Sequence, residues 1–177
     1  MDQATAIRPT APAAPVRTRT ITWEDPLLSA RAGLTLSGID YLRAVAQGKL
    51  PAPPIALLLG FDIEEVEEGR VVFSAEPGEH HYNPIGVVHG GLAATLLDSA
   101  MGCAVHSLLP QGRGYTTLEI KVNYVRAITR ESGRLRAIGT VVHMGGKTAT
   151  AEARLLDGAG RLCAHGTTTC MLFADAG

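Results

Sequence analysis

The sequence predicts an α+β fold, an antiparallel sheet of about six strands wrapped around one long central helix, with an N-terminal helical extension. Three observations predict it. The run from Ile85 to Leu109 is apolar but broken by glycines, histidines and Asp98, which suits a helix buried on both faces rather than a membrane span. Two strand-like segments precede it and four follow, with turn residues between them. Two strands, one buried helix and four strands pack most simply as a sheet curved around the helix.

The 177 residues suit one domain plus an extension, and a hydrophobic fraction of 46% is enough for a full core. A net charge of −1 provides no basic field, so nucleic acid is not an expected partner. No uninterrupted apolar run reaches the roughly 18 residues of a membrane span. Cys103, Cys163 and Cys170 are too few and too scattered for a disulfide framework or a zinc site. They read as small core residues in a reducing compartment, which predicts a cytoplasmic protein.

Residues 1–20 are rich in Ala, Pro and Thr and predict a disordered, solvated tail. Residues 21–60 form the extension. Its first part, Trp23 to Gly33, is ambiguous between helix and coil. Ser37 or Gly38 to Gln47 reads as a helix with Ile39, Leu42 and Val45 on one side and Gly48 as its stop. Pro53 to Leu59 is a second apolar helical turn. The main domain spans 61–174. Phe61 to Glu67 and Arg70 to Glu76 flank Glu68-Gly69 and read as a hairpin. His80 to Gly86 is a loop, and Val88 to Leu109 is the long helix, closed by Pro110. Strands follow at Tyr115 to Ala127, Arg134 to His143, Lys147 to Leu156 and Arg161 to Phe173. In the first of these, Leu118, Ile120, Val122 and Tyr124 alternate with Glu119, Lys121 and Asn123.

The segment Asn83 to Asp98 carries the chemistry. From His80 to Gly112, Asp98 is the only Asp, Glu, Lys or Arg. A lone carboxylate among Leu, Ala and Met is costly unless it has partners or a task such as base catalysis. Free N–H groups of Gly90 and Gly91 at the helix start suit an oxygen that gains negative charge. Base and oxyanion donors in one segment suggest acyl chemistry. Gly90 and Asp98 are eight residues apart, roughly 12 Å along a helix. One reacting carbonyl cannot reach both. Two antiparallel copies of the helix can bring Gly90 of one to Asp98 of the other, which predicts at least a dimer with two equivalent sites. His80, His81 and His89 match no metal-ligand spacing and read as exposed loop residues, with His89 a possible helix cap; no metal is expected. Gly145-Gly146-Lys147 reads as a hairpin turn with Lys147 a possible phosphate contact. Cys103 is a weak candidate nucleophile because it follows Asp98 on the helix.

His81-Tyr82-Asn83-Pro84, His89-Gly90-Gly91 and Thr95-Leu96-Leu97-Asp98 resemble a PaaI-type acyl-CoA thioesterase of the hotdog-fold superfamily. Thr116 to Tyr124, His143 to Lys147, Ala151-Glu152-Ala153 and Ala164 to Thr168 extend the resemblance, which covers about Phe61 to Phe173. It implies hydrolysis of acyl-CoA in a homodimer or homotetramer, two hotdogs pairing into one continuous sheet, with CoA entering only as part of the substrate and no cofactor. Asp98 would act as general base or nucleophile. Gly90 N–H would hold the oxyanion, and Asn83 and His89 would orient the carbonyl or its surroundings. Thr117 would steer water. Simple alternation instead puts Thr116 on the face of Leu118 that should meet the helix, and a bulge would reconcile the two. CoA phosphates would lie near Gly145, Gly146 and Lys147, with Arg126. A hotdog hydratase or dehydratase using His89, or a non-catalytic acyl-CoA-binding module, are the alternatives. The extension has no counterpart in the minimal domain, and its apolar residues predict that it packs at the mouth of the acyl tunnel.

Overall fold

The structure is a computed structural model that describes residues 14–174. Most of the tail expected at 1–20 lies outside the described residues. Residues 14–20 form neither helix nor strand, yet two of them are tied to the domain. Arg19 donates to the carbonyls of Leu58 (2.9 Å) and Leu57 (3.3 Å), and Arg17 pairs with Glu79 at 2.6 Å.

Three short helices make up the extension: α1 (Pro26–Gly33), α2 (Gly38–Ala46) and α3 (Pro54–Leu59). The ambiguous segment is thus partly helical. Asp25 caps α1 by accepting from Leu27 N–H at 3.0 Å, and Pro26 sits in the first turn, where no N–H is needed. Ser37 caps α2 through Asp40 N–H. Gly60, at φ +68°, ends α3 in the left-handed conformation that glycine adopts without steric cost.

The sheet has six antiparallel strands in the order β1-β2-β4-β5-β6-β3. They are β1 (Phe61–Glu67), β2 (Arg70–Ala75), β3 (Arg113–Tyr124), β4 (Leu135–Met144), β5 (Thr148–Leu156) and β6 (Leu162–Ala174). The long helix α4 (Gly90–His106) lies between β2 and β3 in the chain and packs on five of the strands. It is shorter than expected at both ends. Val88 is drawn into a bridge with Tyr82, and beyond His106 the chain turns, with Ser107 Oγ donating to Ala104 C=O and accepting from Gly69 N–H.

Leu96, Leu97, Met101 and Val105 of α4 are fully buried against the concave face of the sheet. That face is built largely from small residues, including Ala137, Gly139, Ala149, Ala151 and Ala153. A Cβ on Gly139 would fall 2.3 Å from the backbone of Ala100, so glycine here lets helix and sheet meet backbone to backbone. The other face of α4 is not fully buried, contrary to the expectation of a helix enclosed on both sides. Ala94, Thr95, Asp98, Ser99, Cys103 and His106 form a half-exposed stripe along it.

Between β5 and β6, the fully covered Asp157 carboxylate accepts from Arg161 N–H (2.9 Å), Ala159 N–H (3.0 Å) and Arg161 Nε (2.8 Å). The backbone N–H of Arg161 leads in holding its pKa below the usual value, with the Arg161 side chain and Ala159 N–H adding to it against desolvation. A carboxylate depressed in the folded state contributes stability above its unfolded pKa of about 3.9, and this is lost as pH falls through the folded value. Melting temperature measured against pH should therefore fall less steeply below about pH 4 in Asp157→Asn than in the wild type. Gly139→Ala should cost about 1–3 kcal/mol by overpacking. Urea denaturation should register this as a lower midpoint at unchanged slope.

Candidate active site

The site is built around the start and middle of α4. His89 is the N-cap residue, extended at φ −62° and ψ 136°, and its Nδ1 accepts from Gly91 N–H at 2.8 Å. Nδ1 therefore carries no proton. This corrects the expectation of two free donors, because the Gly91 N–H belongs to the cap. The Gly90 N–H enters no hydrogen bond among the described residues and points from the positive end of the helix dipole. Asn83 shapes the preceding loop. Its Oδ1 accepts from Ile85 N–H (3.1 Å) and Val87 N–H (3.2 Å), an Asx turn that sets the entry of the chain into α4.

Asp98 sits at mid-helix on the half-exposed stripe, with Thr117 Oγ1 donating to its Oδ1 at 3.0 Å. A bulge in β3 makes this contact. Thr117 pairs with Cys170 and Glu119 with Thr169, so Leu118 is the extra residue. The bulge resets the alternation. Thr117 lies toward the helix, Thr116 is exposed, and Leu118 points outward at 56% exposure instead of meeting the helix. Ile120, Val122 and Tyr124 lie opposite Thr168, Gly166 and Ala164.

One chain does not bring Gly90 and Asp98 together. They are eight residues apart on the same unbroken helix, roughly 12 Å. A cleft of about 360 Å³ opens at His89 and Gly90 and includes Tyr124 and Arg126, but not Asp98. The residues predicted to meet CoA phosphates also divide. Gly145, Gly146 and Lys147 form the exposed β4–β5 turn, where Arg113 donates to Gly146 C=O at 3.3 Å. Arg126 follows the other end of β3, and eleven strand steps from Arg113 to Tyr124 span roughly 36 Å. The Nε of Arg113 is buried without a hydrogen-bond partner among the described residues.

Burial pushes the Cys103 thiol up to about 12, which disfavours the thiolate that a nucleophile needs. His81 is not an exposed loop residue. It is buried, accepts from Gly78 N–H at 3.0 Å through Nδ1 and so donates from Nε2 to Leu59 C=O at 2.8 Å, tying the loop before α4 to the end of α3. Among the described residues no group of three His, Cys, Asp or Glu side chains converges as metal ligands, and no helix is long and apolar enough to cross a membrane.

A family model described as the thioesterase superfamily matches residues 85–164, the stretch from the Asn83 loop through α4 to the start of β6. The 1,4-dihydroxy-2-naphthoyl-CoA hydrolase of Escherichia coli is 31% identical over 131 residues, covering 74% of this chain and 91% of that protein. The enzyme of the same name from Listeria monocytogenes is 26% identical over 99 residues, covering 56% and 79%. The PaaI protein from the phenylacetic acid degradation operon of E. coli superposes with a TM-score of 0.68 at 22% identity, covering 80% of this chain and 98% of that structure, which speaks to the fold. Sheet order, central helix and sequence matches agree, and the chain belongs to the thioesterase superfamily, with its hotdog fold.

Proposed function

We propose that this protein hydrolyses acyl-CoA thioesters to free acid and CoA. The observation that carries the reading is the Thr117–Asp98 pair on the half-exposed stripe of α4. With Oδ1 held by Thr117, Oδ2 is available to take a proton from water. The water oxygen adds to the thioester carbon, and the carbonyl oxygen becomes an oxyanion. Gly90 N–H receives that charge, strengthened by the helix dipole. Collapse of the tetrahedral intermediate restores the carbonyl, breaks the carbon–sulfur bond and releases CoA, whose sulfur takes up the proton. His89 and Asn83 act by fixing the Gly90 amide, through the cap and the Asx turn. No cofactor enters these steps. That two relatives are named as CoA-thioester hydrolases supports the substrate class, and the three free cysteines suit a reducing cytoplasm.

The geometry of one chain favours sites shared between two subunits. β3 is a sheet edge that carries exposed Leu118, Ile120 and Tyr124. The opposite edge, β1, carries Asp62, Glu64 and Glu67, and charged side chains of this kind discourage edge pairing. An antiparallel β3–β3 pairing about a two-fold axis would continue the sheet. It would set the two helices side by side in opposite directions, Gly90 of one near Asp98 of the other, and turn Arg126 of one subunit toward Gly145, Gly146 and Lys147 of its neighbour.

Asp98→Asn should lower kcat on the order of 10²–10⁴-fold, with free thiol read by a chromogenic reagent. Near wild-type turnover in a folded variant would make Asp98 structural, and acyl-CoA consumption without thiol release would point to a hydratase. Gly90→Pro removes the N–H and adds a ring. Proline suits the first helical position, and His89 already has the extended backbone that a following proline requires. The added ring approaches Tyr124, which must shift by a few tenths of an ångström. Its kcat should drop about 10²–10³-fold.

Mixing the two inactive variants after subunit exchange tests the shared site. A heterodimer has one site with both lesions and one with neither. An equal mixture should therefore recover about a quarter of wild-type activity in a randomly exchanged dimer. No recovery after exchange verified by mass spectrometry would assign the whole site to one chain.

A further inference from the structure

The extension walls a largely apolar, partly open cavity toward the C-terminal end of the α4 face that carries Asp98. Its volume is about 340 Å³. Val45 of α2 and Ala52 of the α2–α3 loop line one side, Phe61 and Phe73 another, and His106 of α4 and Tyr115 of β3 the far end. Phe61 and Phe73 meet edge to face at 5.7 Å between ring centres. An engineered cavity of about 150 Å³ admits benzene, so this one has room for about twice that bulk.

The cavity is preformed. Gly38 N–H at the start of α2 donates to Leu109 C=O at 2.9 Å, and a Cβ on Gly38 would fall 1.8 Å from His106 C=O. The extension is therefore seated directly on the end of α4, while the His81–Leu59 bond holds α3. The far end is polar but uncharged. The His106 ring lies between Tyr41 and Tyr115, at 5.5 and 5.6 Å, and makes no hydrogen bond among the described residues. Burial lowers its pKa, so the ring is neutral near neutral pH and can offer one donor and one acceptor. The one charged side chain on the wall is Asp62, an acid.

Length relates the cavity to the site. Cys103, which also lines it, is five residues beyond Asp98, and His106 is eight beyond, roughly 7.5 and 12 Å along the helix. Bonds of about 1.5 Å in a zigzag chain advance about 1.25 Å each. A carbonyl set about 3 Å from Asp98 toward the cavity leaves roughly 9 Å, about seven such bonds, which places the end of a chain of about eight carbons beside His106.

We infer that the N-terminal extension forms the distal half of the acyl pocket, which takes an apolar acyl group of about eight carbons bearing an uncharged hydrogen-bonding group at its far end, read by His106. This rests on the thioester-hydrolysis reading of Asp98. A distal carboxylate is disfavoured, because it would be desolvated beside neutral groups and Asp62.

The test compares kcat/KM for butyryl-, octanoyl-, 8-hydroxyoctanoyl- and 7-carboxyheptanoyl-CoA. Wild type should prefer octanoyl to 7-carboxyheptanoyl by about tenfold or more. Val45→Trp and Ala52→Phe fill the cavity from different segments, so one can fail to fold without losing the test. Either should lower the octanoyl-to-butyryl ratio about tenfold. His106→Phe keeps an aromatic ring beside the two tyrosines and should lower the 8-hydroxyoctanoyl-to-octanoyl ratio by a similar factor. Active, folded filling variants with unchanged ratios would overturn the pocket and leave the hydrolase reading standing. If wild type cleaves none of the four, the hydrolase reading fails and 1-octanol decides the pocket. A rise in melting temperature with 1-octanol that Val45→Trp abolishes supports it, and an equal or absent rise in both proteins overturns it.

Discussion

The contact between Gly139 and the backbone of Ala100 sets how deeply α4 lies in the sheet, and the remaining geometry depends on that depth. With backbone against backbone, the alanines of β4 and β5 can cover Leu96, Leu97 and Met101 without a gap. The sheet closes around one side of the helix, and a single stripe stays open on the other. Asp98 is on that stripe. A deeper helix would clash, and a shallower one would leave the inner leucines half wet and draw Asp98 away from Thr117. Core packing and the placement of the one carboxylate of α4 are thus the same constraint.

The bulge at Leu118 is the second element on which the site depends. A regular β3 would turn Thr116 toward the helix and put Thr117 on the outer face. The extra residue reverses this for the start of the strand, setting Tyr115 and Thr117 opposite Leu172 and Cys170, while Ile120, Val122 and Tyr124 stay opposite the inward residues of β6. The device gives Asp98 a hydroxyl partner at 3.0 Å where a regular strand would not.

The sheet, the central helix and the order of elements were legible because each has a periodic or punctuating signal: Glu68-Gly69, the uncharged run after His80, and the alternation after Tyr115. All six strands fall within a few residues of their predicted bounds. The bulge leaves no mark in an alternation that reads cleanly through Leu118, and it was reached only because the resemblance names Thr117 where the alternation names Thr116. His89 could be read as a cap, but that the cap takes up the Gly91 N–H depends on a side-chain rotamer, which spacing does not encode. His81 read as exposed beside His80, yet two backbone partners from distant segments bury it. The cavity beneath α2 was foreshadowed by the apolar residues of the extension, but the pairing of His106 with Tyr41 and Tyr115 joins three separate elements and has no local signature.

Two separations in one chain have the same form. Gly90 and Asp98 are divided along α4, and Arg126 and the Gly145–Lys147 turn are divided along β3. In each pair, one member belongs to the end of the fold where α4 begins and the other lies toward the end where it finishes. No rotation of a side chain closes gaps of roughly 12 and 36 Å. A second copy related by a two-fold axis across β3 reverses both ends at once, so one symmetry operation answers both separations. The apolar edge of β3 and the acidic edge of β1 independently favour that axis over an open, head-to-tail chain of sheets. The cavity beside the extension brings α2, α3 and α4 together with β1, β2 and β3. Catalytic groups assembled between subunits and an acyl-end pocket built within each would let the first segment of the chain vary in specificity without disturbing the chemistry.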